Sequence, residues 1–209
     1  MPRTEPFEKY VLRYDEWFER HKLEYESELL AVKEQLPERG NGLEIGVGSG
    51  RFAAPLGITL GVEPSHKMRT LAQRRGIKVV AGIAEALPFA DAQFDYVLMV
   101  TTICFVDDIA VAFKEAYRVL KPGGRLIIGF IDKNSSMGKL YQQKKNENVF
   151  YKVATFYSVD EVVPHVKKAG FGNFTFTQTI FPNLTGIQTI EPIKVGYGEG
   201  AFVVLKAIK

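Results

Sequence analysis

Gly42-Leu43-Glu44-Ile45-Gly46-Val47-Gly48-Ser49-Gly50 joins a short apolar run to a glycine turn, and Glu63 follows 19 positions after Glu44 in Gly61-Val62-Glu63-Pro64-Ser65. This reads as one β-loop-α-β unit. Without a Cβ, the turn glycines let a ligand lie directly on the backbone, and the helix behind them offers unpaired N–H groups at its start. A dinucleotide site would place a pyrophosphate there behind the pattern GxGxxG. Here Arg51 stands where that pattern needs its last glycine. Glu44, two residues before the turn, is expected to repel a pyrophosphate and to attract an ammonium or sulfonium. Glu63 ends the next apolar run, Ile58, Leu60 and Val62. It is placed to accept from both hydroxyls of a ribose. The unit therefore points to a nucleoside ligand that carries positive charge and no phosphate.

Further motifs follow in order: Ala84-Glu85-Ala86-Leu87-Pro88-Phe89, Phe94-Asp95, and Arg118-Val119-Leu120-Lys121-Pro122-Gly123-Gly124. The set resembles the class I methyltransferases that use S-adenosylmethionine (SAM), of the small, single-domain kind acting on small molecules. The similarity is strong over residues 40–131 and loose in the flanks. It implies SAM as cofactor, held by Glu44, Gly46, Gly48, Gly50, Glu63, Pro64, Ala84, Glu85 and Thr101. One position departs from the family: Ile83 stands where an aspartate often accepts from the adenine amino group. Adenine is then expected to rest on the Ala84 N–H and on the apolar side chains of Ile83 and Leu87.

The expected fold is α/β, a Rossmann-like doubly wound sheet of seven strands. It is mostly parallel, with an antiparallel strand from a C-terminal hairpin and an N-terminal helical cap. Tyr10, Tyr14, Trp17 and Phe18, then Leu29, Val32 and Leu36, recur at spacings of 3 and 4 and predict one or two helices over 7–36. Strands are expected at 42–46, 58–62, 77–81, 94–100 and 125–131, with a short helix over 50–56. Ser65 is expected to cap a helix stopping at Gly76, and Asp107 or Asp108 the helix before Lys121-Pro122-Gly123-Gly124. Ser158-Val159-Asp160-Glu161 is a capping box. The stretches 171–181 and 200–208 read as the closing hairpin strands, an ending that the resemblance also implies. The whole of 1–209 reads as one domain, with 1–38 as the cap and 132–157 as an insert bordering the acceptor pocket.

A length of 209 residues supports a single core, and a net charge of +3 is too small to imply nucleic acid by itself. Residues 1–40 carry 7 basic and 10 acidic side chains, the remainder 20 and 14. Lys133, Lys139, Lys144, Lys145 and Lys152 face only Glu147 within 133–152. They read as a solvated face or, alternatively, as a basic lip for an acidic acceptor. One cysteine allows no internal disulfide framework. The N-terminus lacks the apolar core of a signal peptide, and no apolar run is long enough to span a membrane. The expectation is a cytoplasmic protein, monomer or homodimer, with a small-molecule acceptor, no nucleic-acid partner and no membrane. No His or Cys spacing suggests a metal site.

Thr101–Phe105 follow the fourth predicted strand, where open α/β sheets bind ligands, so this loop is expected to border the transferred methyl. Acceptor-pocket candidates are Tyr14, Trp17, Thr102, Phe105, Asp132, Tyr141 and Tyr151, with Phe130 beside them. An aromatic face at Tyr14 or Trp17 would attract a sulfonium. Cys104 reads as a wall residue and not as a nucleophile, because methyl transfer needs none. No catalytic base is identified, which favours an amine acceptor over a hydroxyl. The alternatives are a SAM-binding protein without turnover and a nucleic-acid methyltransferase. The second would normally carry an Asn/Asp-Pro-Pro-aromatic tetrapeptide where Thr101–Cys104 stand.

Overall fold

Period-2 alternation in the central strands determines which helices lie where. In β1 (Gly42–Ile45), Leu43 and Ile45 face one side of the sheet and Glu44 the other. The computed structural model describes residues 3–182 and 186–209. The sheet has β1, β2 (Leu60–Val62), β3 (Lys78–Val80), β4 (Phe94–Val100), β5 (Leu120–Ile131), β6 (Gly172–Thr179), β7 (Lys194–Val195) and β8 (Phe202–Ile208). They lie in the order β3-β2-β1-β4-β5-β8-β6-β7. The first five are parallel, while β8 runs antiparallel between β5 and β6. Eight strands replace the expected seven, because the two-residue β7 adds to the outer edge of β6.

Among the described residues three helices precede the sheet, where one or two were expected: α1 (Glu5–Lys9), α2 (Val11–Arg20) and α3 (Lys22–Gln35). The chain breaks at Tyr10 and His21, whose backbones leave helical geometry. The expected short helix over 50–56 is a run of turns. α4 (His66–Arg74) starts at Ser65, whose hydroxyl accepts from Met68 N, and α5 (Ile109–Val119) at Asp108, which accepts from Ala110 N and Val111 N. β5 begins directly at Leu120, five residues early, because Leu120 already pairs with Phe94 and a register shift absorbs the Lys-Pro-Gly-Gly stretch. α6 (Ser136–Gln143) and two single turns lead to α7 (Val159–Lys168), which opens on the Ser158/Glu161 capping box.

Helices cover both faces. Leu43, Ile45, Val97, Met99, Leu126 and Ile128 pack against Phe113 and Ala116 of α5 and Val162 and Val166 of α7. Leu98, Val100, Ile127 and Val204 pack against Ala31 and Val32 of α3, with Phe18, Phe52 and Ala53 beside them. Burial of these side chains supplies the main stabilisation, about 1.5–3 kcal/mol for each large one. The carboxyl ends of β1, β2 and β4 are left open beneath α1 and α2, and the site lies there.

Candidate active site

Gly46, Gly48 and Gly50 all have positive φ (+67°, +54°, +83°), but they serve different neighbours. A Cβ on Gly46 would lie 2.5 Å from Thr102 Cγ2, and one on Gly50 would strike Ile77 Cδ1 at 2.5 Å. Gly50 therefore lets the turn pack on the residues behind α4. A Cβ on Gly48 would meet only the Tyr14 ring, in ordinary contact 3.6 Å from its hydroxyl. A cleft of about 90 Å³ opens there, lined by Gly46, Gly48, Glu63, Pro64, Ile83, Ala84, Glu85, Thr101 and Thr102 and closed from above by Arg3, Thr4 and Phe7.

Glu63 is buried at the tip of β2, where Oε2 accepts from Gly48 N at 3.0 Å and Oε1 from Ser65 N at 2.9 Å. Burial pushes its carboxyl up to about 7, and those two N–H groups only partly offset this. Such a carboxylate is short of donors and complements a vicinal diol. The residues present therefore fit the nucleoside of SAM: a Cβ-free backbone, a diol acceptor and an apolar wall at Ile83 and Ala84. Glu85 lines the cleft and also holds its border, its Oε1 accepting from Asp107 N and Asp108 N.

Beside the cleft lies a larger cavity of about 450 Å³, walled by aromatic side chains, among them Trp17, Phe18, Phe130, Tyr141, Phe150 and Tyr151. The two spaces share Phe7, Tyr14, Thr101 and Phe105. Thr101 has φ +50°, an unusual conformation for a β-branched residue, held by its N–H to Gly129 O at 2.8 Å. Strain of this kind costs about 1–3 kcal/mol and gathers at functional sites. Tyr141 and Tyr151 stack with ring centroids 4.5 Å apart. The Cys104 thiol lines the larger cavity, donates to Thr101 O and is pushed by burial up to about 12. It stays protonated at neutral pH.

Five residues expected in the site stand elsewhere than predicted. Glu44 is absent from the cleft wall: strand alternation turns it away from Leu43 and Ile45, where burial raises its pKa well above the usual range, the Ala53 N–H only partly offsets this, and the Glu63 carboxylate adds to the rise. Its Oε2 has no hydrogen-bond partner among the described residues. Gly50 lies outside the wall for the packing reason above. Asp132 lines neither space, since it orders the turn into α6 by accepting from Asn134 N and reaches Val159 N at the start of α7. Leu87 is also absent from the cleft wall, its N–H being taken by Glu115. Thr102 borders the cofactor cleft and not the larger cavity.

Sequence reasoning missed Phe7, Met68, Glu28 and Phe150 as wall residues. It also missed Asp15, which accepts from Ser49 Oγ and from both Arg51 and Arg75 and ties α2 to the glycine turn. Arg51 at the departing position was the available signal. None of the five lysines in 133–152 lines either space. Lys133 pairs with Glu161, and Lys145 donates to Ala154 O.

A SAM-dependent methyltransferase of Thermotoga maritima, described as a possible histamine N-methyltransferase, is 53% identical, with a TM-score of 0.94 over 97% of both chains. The chain belongs to the SAM-dependent methyltransferase family. A model of the methyltransferase domain matches residues 43–128 of this methyltransferase. An uncharacterized protein of Methanocaldococcus jannaschii is 46% identical over 203 residues, 97% of this methyltransferase and 98% of that chain. A demethylmenaquinone methyltransferase of Roseiflexus castenholzii is 38% identical over 99 residues, which cover 42% of the present chain and 41% of the relative. The methyltransferase uses SAM as methyl donor. Among the described residues no group of His, Cys, Asp and Glu could hold a metal ion, and no helix is long and apolar enough to cross a membrane.

Proposed function

We propose that this methyltransferase transfers the methyl group of SAM to a nitrogen of a small, flat amine bound in the 450 Å³ cavity. The observation that carries the reading is the shared wall. Phe7, Tyr14, Thr101 and Phe105 include neither a carboxylate nor an imidazole, and the Tyr14 hydroxyl is held protonated by burial and the nearby Glu63 carboxylate. An acceptor nitrogen that arrives neutral needs no base, whereas a hydroxyl does. The description of the Thermotoga maritima relative as a possible histamine N-methyltransferase points the same way.

In this reading SAM supplies a methyl carbon activated by its sulfonium. Glu63 accepts from the ribose hydroxyls, with Pro64 beside it. Gly46 and Gly48 admit the ligand to the backbone, and Ile83, Ala84 and Glu85 border the adenine. Thr101, Tyr14 and Phe105 orient the acceptor for in-line attack at about 3–3.5 Å, while Trp17, Tyr141 and Tyr151 exclude water from it. Residues 1–38 act as a cap over one domain of 1–209, and 132–157 border the acceptor. The test is methyl transfer from labelled SAM across matched aromatic amines and phenols. Amines should react and phenols should not; methylation of phenols alone would sink the reading. Glu63→Ala should raise the SAM Kd by about tenfold or more through loss of charge-assisted acceptors, measured by titration calorimetry.

A further inference from the structure

The aromatic cavity also contains a buried carboxylate. Glu28 on α3 is 5% exposed and lines the large cavity but not the cofactor cleft. Burial and then the neighbouring Glu24 carboxylate push its pKa up to about 8, and no hydrogen bond or cation of a described residue offsets them. Arg13, Arg20 and His21 of α2 line the same cavity without relieving it. The stacked Tyr141 and Tyr151 stand within its field.

Cys104 donates to Thr101 at the shared wall, Tyr151 senses both Cys104 and Glu28, and Tyr141 senses Glu28 and Glu24. The stacked tyrosines and Glu28 line the same cavity as Thr101 and Phe105 of the shared wall. A buried carboxylate without a counter-charge costs several kcal/mol, and it persists where a ligand completes it. An ammonium flanked by aromatic faces would do so, gaining from both the charge and the rings.

We propose that Glu28 is the specificity residue of the acceptor cavity, holding the protonated amino group of a small molecule whose methylated atom is a second, unprotonated nitrogen at the shared wall. The proposal rests on the amine reading for the methylated atom and adds a separate cationic anchor. The acceptor class is a compact, flat molecule with two nitrogens of unequal basicity. Glu28 is a positioning residue, since it lines the acceptor cavity and not the cofactor cleft.

The test uses protein saturated with S-adenosylhomocysteine and titrates phenethylamine against 2-phenylethanol, which differ in charge but little in shape. The cation should bind roughly tenfold or more tighter to the wild type. Glu28→Gln should remove that preference while leaving binding of the alcohol and of S-adenosylhomocysteine unchanged, and Glu28→Asp should restore part of it. In the wild type at pH 7, phenethylamine binding should release close to one proton, read from calorimetry in two buffers, and phenylethanol none. Equal or absent binding of the two probes, no proton release, or a preference that survives in Glu28→Gln would overturn the proposal. Methyl transfer to oxygen, with charge preference lost in Glu28→Gln, would sink the amine reading and leave the anchor standing. N-methylation with the preference intact would do the reverse.

Discussion

Asp15→Asn should loosen the cap from the glycine turn. Asp15 Oδ1 accepts from Ser49 Oγ at 2.7 Å and Arg51 Nε at 3.0 Å, and Oδ2 from Arg51 Nη2 at 2.9 Å and Arg75 Nη2 at 2.7 Å. Burial alone would push this carboxyl up, yet the donors outweigh it and hold the pKa down from 3.8 to about 2. A shift of that size corresponds to about 2 kcal/mol, and solvent at this partly exposed site leaves about 1–2 kcal/mol. Asparagine keeps one acceptor and turns an N–H₂ toward a guanidinium. For a chain of this length the loss lowers Tm by about 2–8 °C. The sign with pH follows from the depressed pKa. The contribution is complete above the unfolded value near 4 and is lost as pH falls toward 2, so the Tm gap between wild type and variant should close over that range. Calorimetric scans from pH 7 to pH 3 measure it, and hydrogen exchange over residues 11–20 reports the loosening directly. A gap that is absent at pH 7, or that stays constant on acidification, would refute this account.

Gly46→Ala should lower SAM affinity about tenfold or more while leaving helical content near wild type. The new methyl meets Thr102 Cγ2 at 2.5 Å and Oγ1 at 2.7 Å in a backbone at φ +67°, a strain of about 1–3 kcal/mol placed at the cofactor cleft. Unchanged affinity would mean that the turn tolerates the shift. Glu28→Gln should also change the pH profile of stability. Because the native pKa of Glu28 is raised to about 8, the folded chain holds an extra proton between about pH 4.5 and 8 and loses stability as pH rises through that window. The variant should therefore gain most in Tm at pH 8.5 and little at pH 5; parallel profiles would count against a charged, uncompensated Glu28.

The parallel half of the fold was legible because its signals are local. A glycine turn after a short apolar run, Ser65 before α4, and the Ser158/Glu161 box each fix an element within a few residues. The face of α3 was legible only in part. Leu29, Val32 and Leu36 do pack inward as their spacing suggested, but Ser27, Glu28, Ala31 and Gln35 are buried beside them, while Leu30 is exposed. A helix that lines a ligand cavity buries polar groups, so the hydrophobic period weakens where function is strongest. Glu44 misled differently. Its charge was read from its distance to the turn, and strand parity, which decides direction, turned it away. The Asp15 hub joins residues 36 and 60 positions apart, a separation at which single-sequence patterns carry no signal.

α1 bridges the mouth of the site like a beam. At one end Glu8 accepts from the backbone N–H groups that open α4, and just before its other end Arg3 donates to Val153 O and Thr155 Oγ1, both at 2.8 Å. Phe7 lies between and closes the cofactor cleft and the acceptor cavity together. The two chambers therefore share a wall that α1 supplies. Lifting the beam to exchange S-adenosylhomocysteine would open the acceptor cavity at Phe7 in the same event. Where that event limits turnover, kcat is a property of the hinge and its few anchoring bonds, the same for a good acceptor and a poor one.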